Sequence, residues 1–309
     1  MLDMFHMSPQ VSDQQIFYGT QAATGVGWQV WNKPRGKKMA HILLVGCGGN
    51  GGTGAIGANS TAAGGGGGGS GSQTSMICPI YALPDILFLS LPGAGVGGAA
   101  VSYVQTKPGT EVQHSVIRAS GGGNGGNGSG ATAGAAGAAG AAASAAAMCA
   151  GSGIGTYTTL GGQAGIIAGT NVAGGNLTIP TTGLIVTGGT GGGGLPAAAA
   201  TGTNAGGFTV PAAPSYFPPH LGGQGSATAT NPAASGNPGF MNLFGVLYSF
   251  GGTGGASTHG TATGGGLQQS SGGNGGPGAG GGGMGGALTG SAAGVTGKGG
   301  ASFCIITCW

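Results

Sequence analysis

Glycine returns at every third position in separate stretches of this chain: at 48, 51, 54 and 57, at 122, 125 and 128, at 134, 137 and 140, and at 272, 275, 278 and 281. A period of three fits neither an α-helix, at about 3.6 residues per turn, nor a strand, at about two. It is the period of polyproline II, an extended left-handed form with no internal hydrogen bonds. Backbone groups in such segments need partners on other segments or in water. Glycine on the facing edges lets two backbones approach closely enough for one segment to bond the next. A collagen reading fails, because the runs are short, only 15 prolines are present, and extra glycines fill the intervening positions. At about 3.1 Å per residue, the run from 122 to 140 would reach roughly 55 Å.

Glycine supplies 82 of the 309 residues and charged residues only 4%. Chains kept disordered by composition usually carry high net charge, whereas this one carries +3. The glycine runs also alternate with apolar islands that have strand character, which a flexible linker would not do. Trp28–Asn32 and His41–Val45 flank the turn Lys33-Pro34-Arg35-Gly36 and predict a hairpin. Met76–Tyr81, Asp85–Leu91, Val101–Val104 and Glu111–Ile117 predict further strands. Tyr157–Leu160, Gly165–Ala168, Leu177–Ile179 and Leu184–Thr187 are weaker candidates, and Ala301–Trp309 is a final strand. The one place for a short helix is Ala141–Ala147. The expected fold is therefore all-β: short antiparallel strands forming a sandwich-like frame, combined with polyglycine or polyproline II segments. Residues 1–25 read as an arm or linker and 26–309 as one domain, with a proline-rich surface insertion around 195–239.

Chemistry is sparsely signalled. Gly46-Cys47-Gly48-Gly49-Asn50-Gly51 matches a dinucleotide fingerprint, but glycines continue where a helix should open, and no acidic residue occurs between Asp13 and Asp85. The histidines lack zinc spacing, no Gly-Lys-Ser/Thr loop is present, and no hydroxyl sits in a nucleophile elbow. Neither an enzyme, a cofactor nor a metal is expected. The basic residues Lys33, Arg35, Lys37 and Lys38 form a lone cluster without interleaved aromatics, which argues against nucleic acid. No uninterrupted apolar run is long enough for membrane insertion, and the first ten residues lack the apolar core of a signal segment. The five cysteines form no CxxC pair and read as buried free thiols.

The order of these features resembles the glycine-rich domain of bacteriophage virion structural and tail-fibre proteins. The resemblance rests on Trp28, Trp31, Pro34-Arg35-Gly36 and Ile42–Gly52 at one end. At the other it rests on Gly272–Gly278 and the strand from Phe303 to Trp309. It implies a virion component with other virion proteins as partners and a homo-oligomeric, trimeric state. A weaker similarity to glycine-rich phage tip adhesins implies a host surface receptor as an alternative partner. An extracellular polyglycine II ice-binding or matrix protein is a further alternative. Candidate interface or receptor contacts are Tyr216, Phe217, Phe240, Phe244, Tyr248 and Phe250, and the framing strands carry Trp28, Trp31, Phe303 and Trp309.

Overall fold

The computed structural model describes residues 12–20, 22, 27–58, 60–98, 100–109, 111–142, 153–168, 172–179, 185–197, 200–209, 220–227, 231–242, 248–258 and 268–309. Nearly all of its regular structure is β, with no α-helix among the described residues. A five-stranded antiparallel sheet contains β1 (Asp13–Tyr18), β3 (Met39–Val45), β5 (Gln73–Pro79), β9 (Thr156–Leu160) and β16 (Phe303–Cys308), in the order β1-β16-β3-β5-β9. A second, four-stranded sheet runs β2-β6-β7-β8, from β2 (Gln29–Asn32), β6 (Ile86–Ser90), β7 (Val101–Gln105) and β8 (Ser115–Ser120).

The two sheets pack face to face, as the alternation in their strands requires. Ala40, Ile42 and Leu44 of β3 lie beside Met76 and Cys78 of β5 and Cys304, Ile306 and Cys308 of β16. All of them meet Trp31, Leu87, Leu89, Val104, Ile117 and Ala119 of the second sheet. The odd positions of β3 are buried as well. Leu43 and Val45 join Phe303 and Ile305 on the opposite face, against Val186 and Ala279. Val186 belongs to β11 (Ile185–Val186), which pairs with β14 (Tyr248–Ser249) beside β13 (Met241–Asn242).

Strand registers continue past the sheets into the glycine segments, where they change step. Val45 lies opposite Gln73 in the β3–β5 pair. Beyond it Gly46, Gly49, Gly52 and Ala55 donate to the carbonyls of Ser72, Gly69, Gly66 and Ala63, three residues forward on one segment and three back on the other. The β3–β16 register likewise extends as Gly48 to Gly300 and Gly51 to Gly297, and the β5–β9 register as Ser70 to Gln163 and Gly67 to Ile166. In a sheet each strand has two neighbours. With a step of three, a segment bonds in more directions.

The run Gly64–Gly69 shows the limit. Gly65, Gly68 and Gly71 donate to Met284, Gly281 and Gly278; Gly66, Gly69 and Ser72 donate to Gly126, Gly123 and Ser120; Gly67 and Ser70 donate to Ile166 and Gln163. Its carbonyls accept from three other segments: Gly64, Gly67 and Ser70 from Gly134, Gly137 and Gly140, Gly65 and Gly68 from Gly192 and Gly189, and Gly66 and Gly69 from Gly52 and Gly49. Six segments surround this one, and a Cβ built at any of Gly64–Gly69 would fall within 3.0 Å of a neighbouring carbonyl oxygen. The same step links outer segments, as where Thr187, Thr190 and Gly193 donate to Ser249, Gly252 and Gly255. Away from the sandwich the segments reverse in short turns, such as Ala58–Thr61 and Leu288–Ser291. There β4 (Ile56–Gly57) pairs in parallel with β15 (Ala287–Leu288). A further parallel pair joins β10 (Leu177–Thr178) to β12 (Phe208–Thr209).

Several details differ from the sequence expectation. The hairpin expected across Lys33–Gly36 does not form: β2 pairs with β6 and β3 with β5 and β16, so the turn carries the chain from one sheet to the other. The segment read as an arm contains β1, which pairs with β16 along its whole length. Val112–His114 form a 3-10 turn and β8 starts only at Ser115, because the Gln105 side chain donates to the Glu111 carbonyl and to Ser115 Oγ and draws that loop inward. Met76–Tyr81 likewise ends as a strand at Pro79, and Ile80–Ala82 turn as a 3-10 helix. Gly165–Ala168 is a ladder segment and not a strand, with Gly165 and Ala168 donating to Gly137 and Gly134. Of the proposed helix, Ala141 and Ala142 are non-helical and 143–147 lie outside the described residues.

Candidate functional site

Charge is confined almost wholly to the sandwich. Between residues 119 and 297 the sequence holds no Lys, Arg, Asp or Glu. Four of the seven basic residues, Lys33, Arg35, Lys37 and Lys38, occupy the turn between β2 and β3, where Gly36 takes a left-handed φ of 77°. Lys33 Nζ donates to the Leu83 carbonyl at 2.7 Å and pairs with Asp85 Oδ1 at 3.0 Å. A cavity of about 490 Å³ opens beside this turn, lined by Pro34, Arg35, Lys37, Ile80 and Tyr81, the last 79% exposed. The framing residues divide around it. Trp31 is buried in the sandwich core and Phe303 on the far side of the five-stranded sheet. Trp28 and Trp309 are half-buried. The Trp309 amide donates to Met39, and its carbonyl accepts from Lys38 and Met39.

The aromatic candidates separate clearly. Tyr216, Phe217 and Phe244 lie outside the described residues, and Tyr248 is placed by its backbone alone, in β14. Phe250 is buried, and Phe240 packs beside it with ring centroids 5.0 Å apart. Sequence reasoning passed over their companions: His220 stacks on Phe208 at 5.4 Å and meets the edge of Phe240 at 5.5 Å. In sequence Phe208 and His220 flank residues 210–219, and Phe240 and Phe250 flank 243–247, and the four rings form one cluster. Burial holds the His220 imidazole below its usual pKa, partly offset by a hydrogen bond with the Gly251 backbone.

The fingerprint-like loop has its amides committed elsewhere. Gly46, Gly48, Gly49 and Gly51 donate to Ser72, Gly300, Gly69 and Gly297, which leaves none of these N–H groups for a phosphate. Beside it lies a repeated device that the sequence reading did not reach. Asn124 Oδ1 accepts the Asn50 amide at 2.9 Å while Gly125 donates to the Asn50 carbonyl at 2.8 Å. Asn127 and Gly128 hold Thr53 in the same way, at 3.0 and 2.8 Å. Asn274 and Gly275 hold Lys298, at 2.9 and 2.8 Å. Asn50 Oδ1 in turn accepts from Gly299, and Gly51 donates to Gly297, bracketing Lys298 from the next segment. Each clamp is a side-chain carbonyl and the following amide gripping one residue opposite. The visible signal was an Asn directly before a glycine in each block.

Buried hydroxyls act similarly. Thr187 and Thr190, both fully buried, accept from Gly251 and Gly254 at 2.8 and 2.9 Å. Among the described residues no group of three or more His, Cys, Asp or Glu could hold a metal ion, and no helix is long and apolar enough to cross a membrane. Compared with known proteins, the sequence matches no family model and no curated protein.

Proposed function

We propose that the chain is a structural component of a bacteriophage virion, an element of a fibre, an appendage or the particle surface, working with other virion proteins and assembling as a homo-oligomer, for which a trimer is the expectation. The observation that carries this reading is the bundle around Gly64–Gly69, whose segments are joined through main-chain bonds on six sides. Such a body is bonded on every side and nearly free of charge, with the described Lys, Arg, Asp and Glu residues other than Lys298 gathered at the sandwich. Those properties suit a load-bearing, protein-covered part better than a catalyst. Virions purified to homogeneity and labelled with antibodies against the folded chain test it. Label on a fibre, appendage or outer surface is the expected result, and absence of the chain from the particle's protein content overturns it.

A second reading, a receptor-binding adhesin at an appendage tip, is favoured by the aromatic cluster of Phe208, His220, Phe240 and Phe250. The residues of that cluster flank, in sequence, the stretches that carry Tyr216, Phe217 and Phe244. Isolated chain that binds host cells and competes with infection selects this reading. Particle-bound chain without either property selects the purely structural one.

A further inference from the structure

Asparagine followed by glycine is the dipeptide most prone to spontaneous imide formation, because glycine offers no side chain to hinder attack by its own nitrogen. The sequence holds four such pairs: Asn50-Gly51, Asn124-Gly125, Asn127-Gly128 and Asn274-Gly275. All four lie in the ladders, and in all four both reacting groups are engaged. The attacking nitrogens of Gly51, Gly125, Gly128 and Gly275 each donate at 2.8 Å to a carbonyl of a neighbouring segment. The side-chain carbonyls of the asparagines accept from Gly299, Asn50, Thr53 and Lys298 at 2.9 to 3.0 Å.

We propose that these four asparagines are latent deamidation sites which the bundle holds closed, so that their chemical state records whether a chain has remained folded. In the reaction the glycine nitrogen, having given up its proton, bonds to the asparagine Cγ, and the side-chain nitrogen leaves as ammonia. Water then opens the five-membered imide at either carbonyl, giving aspartate or isoaspartate. No oxidant or reductant is involved. The glycine nitrogen reaches Cγ only if the backbone between the two residues rotates, and that rotation breaks the ladder bond on one side and the clamp on the other. Reaction therefore requires local opening of the segment.

The consequence is one-directional. Isoaspartate routes the main chain through the side-chain carbon and adds a backbone atom, which shifts every later residue out of the three-residue step. Aspartate keeps the step but introduces a negative charge into ladders whose segments hold no Asp or Glu. A chain that opens for long at alkaline pH thus accumulates isoaspartate and with it loses the pattern it needs to close again.

The test uses the unaltered chain, incubated at mildly alkaline pH in native buffer and in concentrated guanidinium, then digested and mapped by mass spectrometry in water enriched in heavy oxygen. Hydrogen exchange of Gly51, Gly125, Gly128 and Gly275 is followed in the native sample. The expected result is slow exchange at all four amides and deamidation at least about tenfold slower in the native chain, since each event needs an opening. Native deamidation at the denatured rate overturns the proposal, whether or not the amides exchange slowly.

Discussion

The Ser72 amide donates to the Ser120 carbonyl at 2.9 Å, while the Ser120 amide donates back to Ser72 Oγ at 2.8 Å. These residues follow strands of different sheets, since Ser72 precedes β5 and Ser120 closes β8. Two layers of the sandwich here become adjacent segments of one ladder, continued by Gly69 to Gly123 and Gly66 to Gly126. Ser72 is fully buried. Replacing it by alanine strands the Ser120 N–H at the junction, and a loss of about 1 to 3 kcal/mol is expected in guanidinium unfolding. Stability unchanged by Ser72→Ala would mean that the junction is not under load.

Gly66→Ala places a methyl carbon against the Ala135 carbonyl, where backbone, and not a flexible side chain, must give way. The expected cost is about 3 kcal/mol or failure to fold. Ala136→Gly, at an exposed position of a peripheral segment, should stay within about 1 kcal/mol of the parent. Thermal unfolding of the pair measures how far tolerance depends on lattice position.

In a ladder of near-identical glycine rungs, a slip of three residues preserves every backbone bond. The asparagine clamps break that degeneracy, as hydrophobic pattern does in a sheet. Asn124→Ala leaves the Asn50 amide without its partner and should cost about 1 to 2 kcal/mol. Asn124→Asp, which retains the acceptor, should lose less. Equal losses for the two variants, read by denaturant titration, would argue against the acceptor role.

Burial raises the Cys47 and Cys308 thiols to about 11, and Cys304 higher still. At pH 8 a thiol of that pKa is ionised in only about one molecule in a thousand. Iodoacetamide at pH 8 should therefore spare all three in the folded chain and modify them in guanidinium. Labelling of Cys304 under native conditions would contradict its placement between β1 and β3.

His41 and His220 both bind a proton less readily in the folded chain than the usual value of 6.5, because burial disfavours the charged ring. Below that value the unfolded chain takes up more protons. The stability this preference contributes is complete above about pH 6.5 and is lost as the pH falls through the lower folded values. Tm should drop between about pH 7 and about pH 5. His220→Gln and His41→Gln should each remove part of that slope, and an unaltered slope in both would refute this origin.

The legible parts of the fold are those with a local cause. Trp31 and the alternation around it, the Pro34–Gly36 turn and the apolar run Ile42–Val45 specify two strands and a turn without reference to the rest of the chain, but not their pairing: β2 joins β6 and β3 joins β5 and β16, in different sheets. The spacing of glycines 122, 125 and 128 specifies the step of the ladders. What stayed hidden depends on partners distant in sequence. β1 looks polar because Asp13, Gln14 and Gln15 run together ahead of Ile16 and Phe17, and only β16 makes it a strand. The clamps needed Asn50 to lie opposite Asn124, which no window of neighbouring residues can reveal. Phe240 and Phe250 were singled out as contacts, but their partners Phe208 and His220 lie across a proline-rich stretch that hides the proximity.

The six-sided surroundings of Gly64–Gly69 also set a timetable. Their partners are drawn from residue 49 through residue 284, so on a ribosome emitting about 5 to 20 residues per second this segment waits on the order of ten to forty seconds for its last neighbour. Glycine suits such a wait, because its bare backbone is satisfied by water and offers chaperones and other nascent chains no greasy handle until the closing segments emerge.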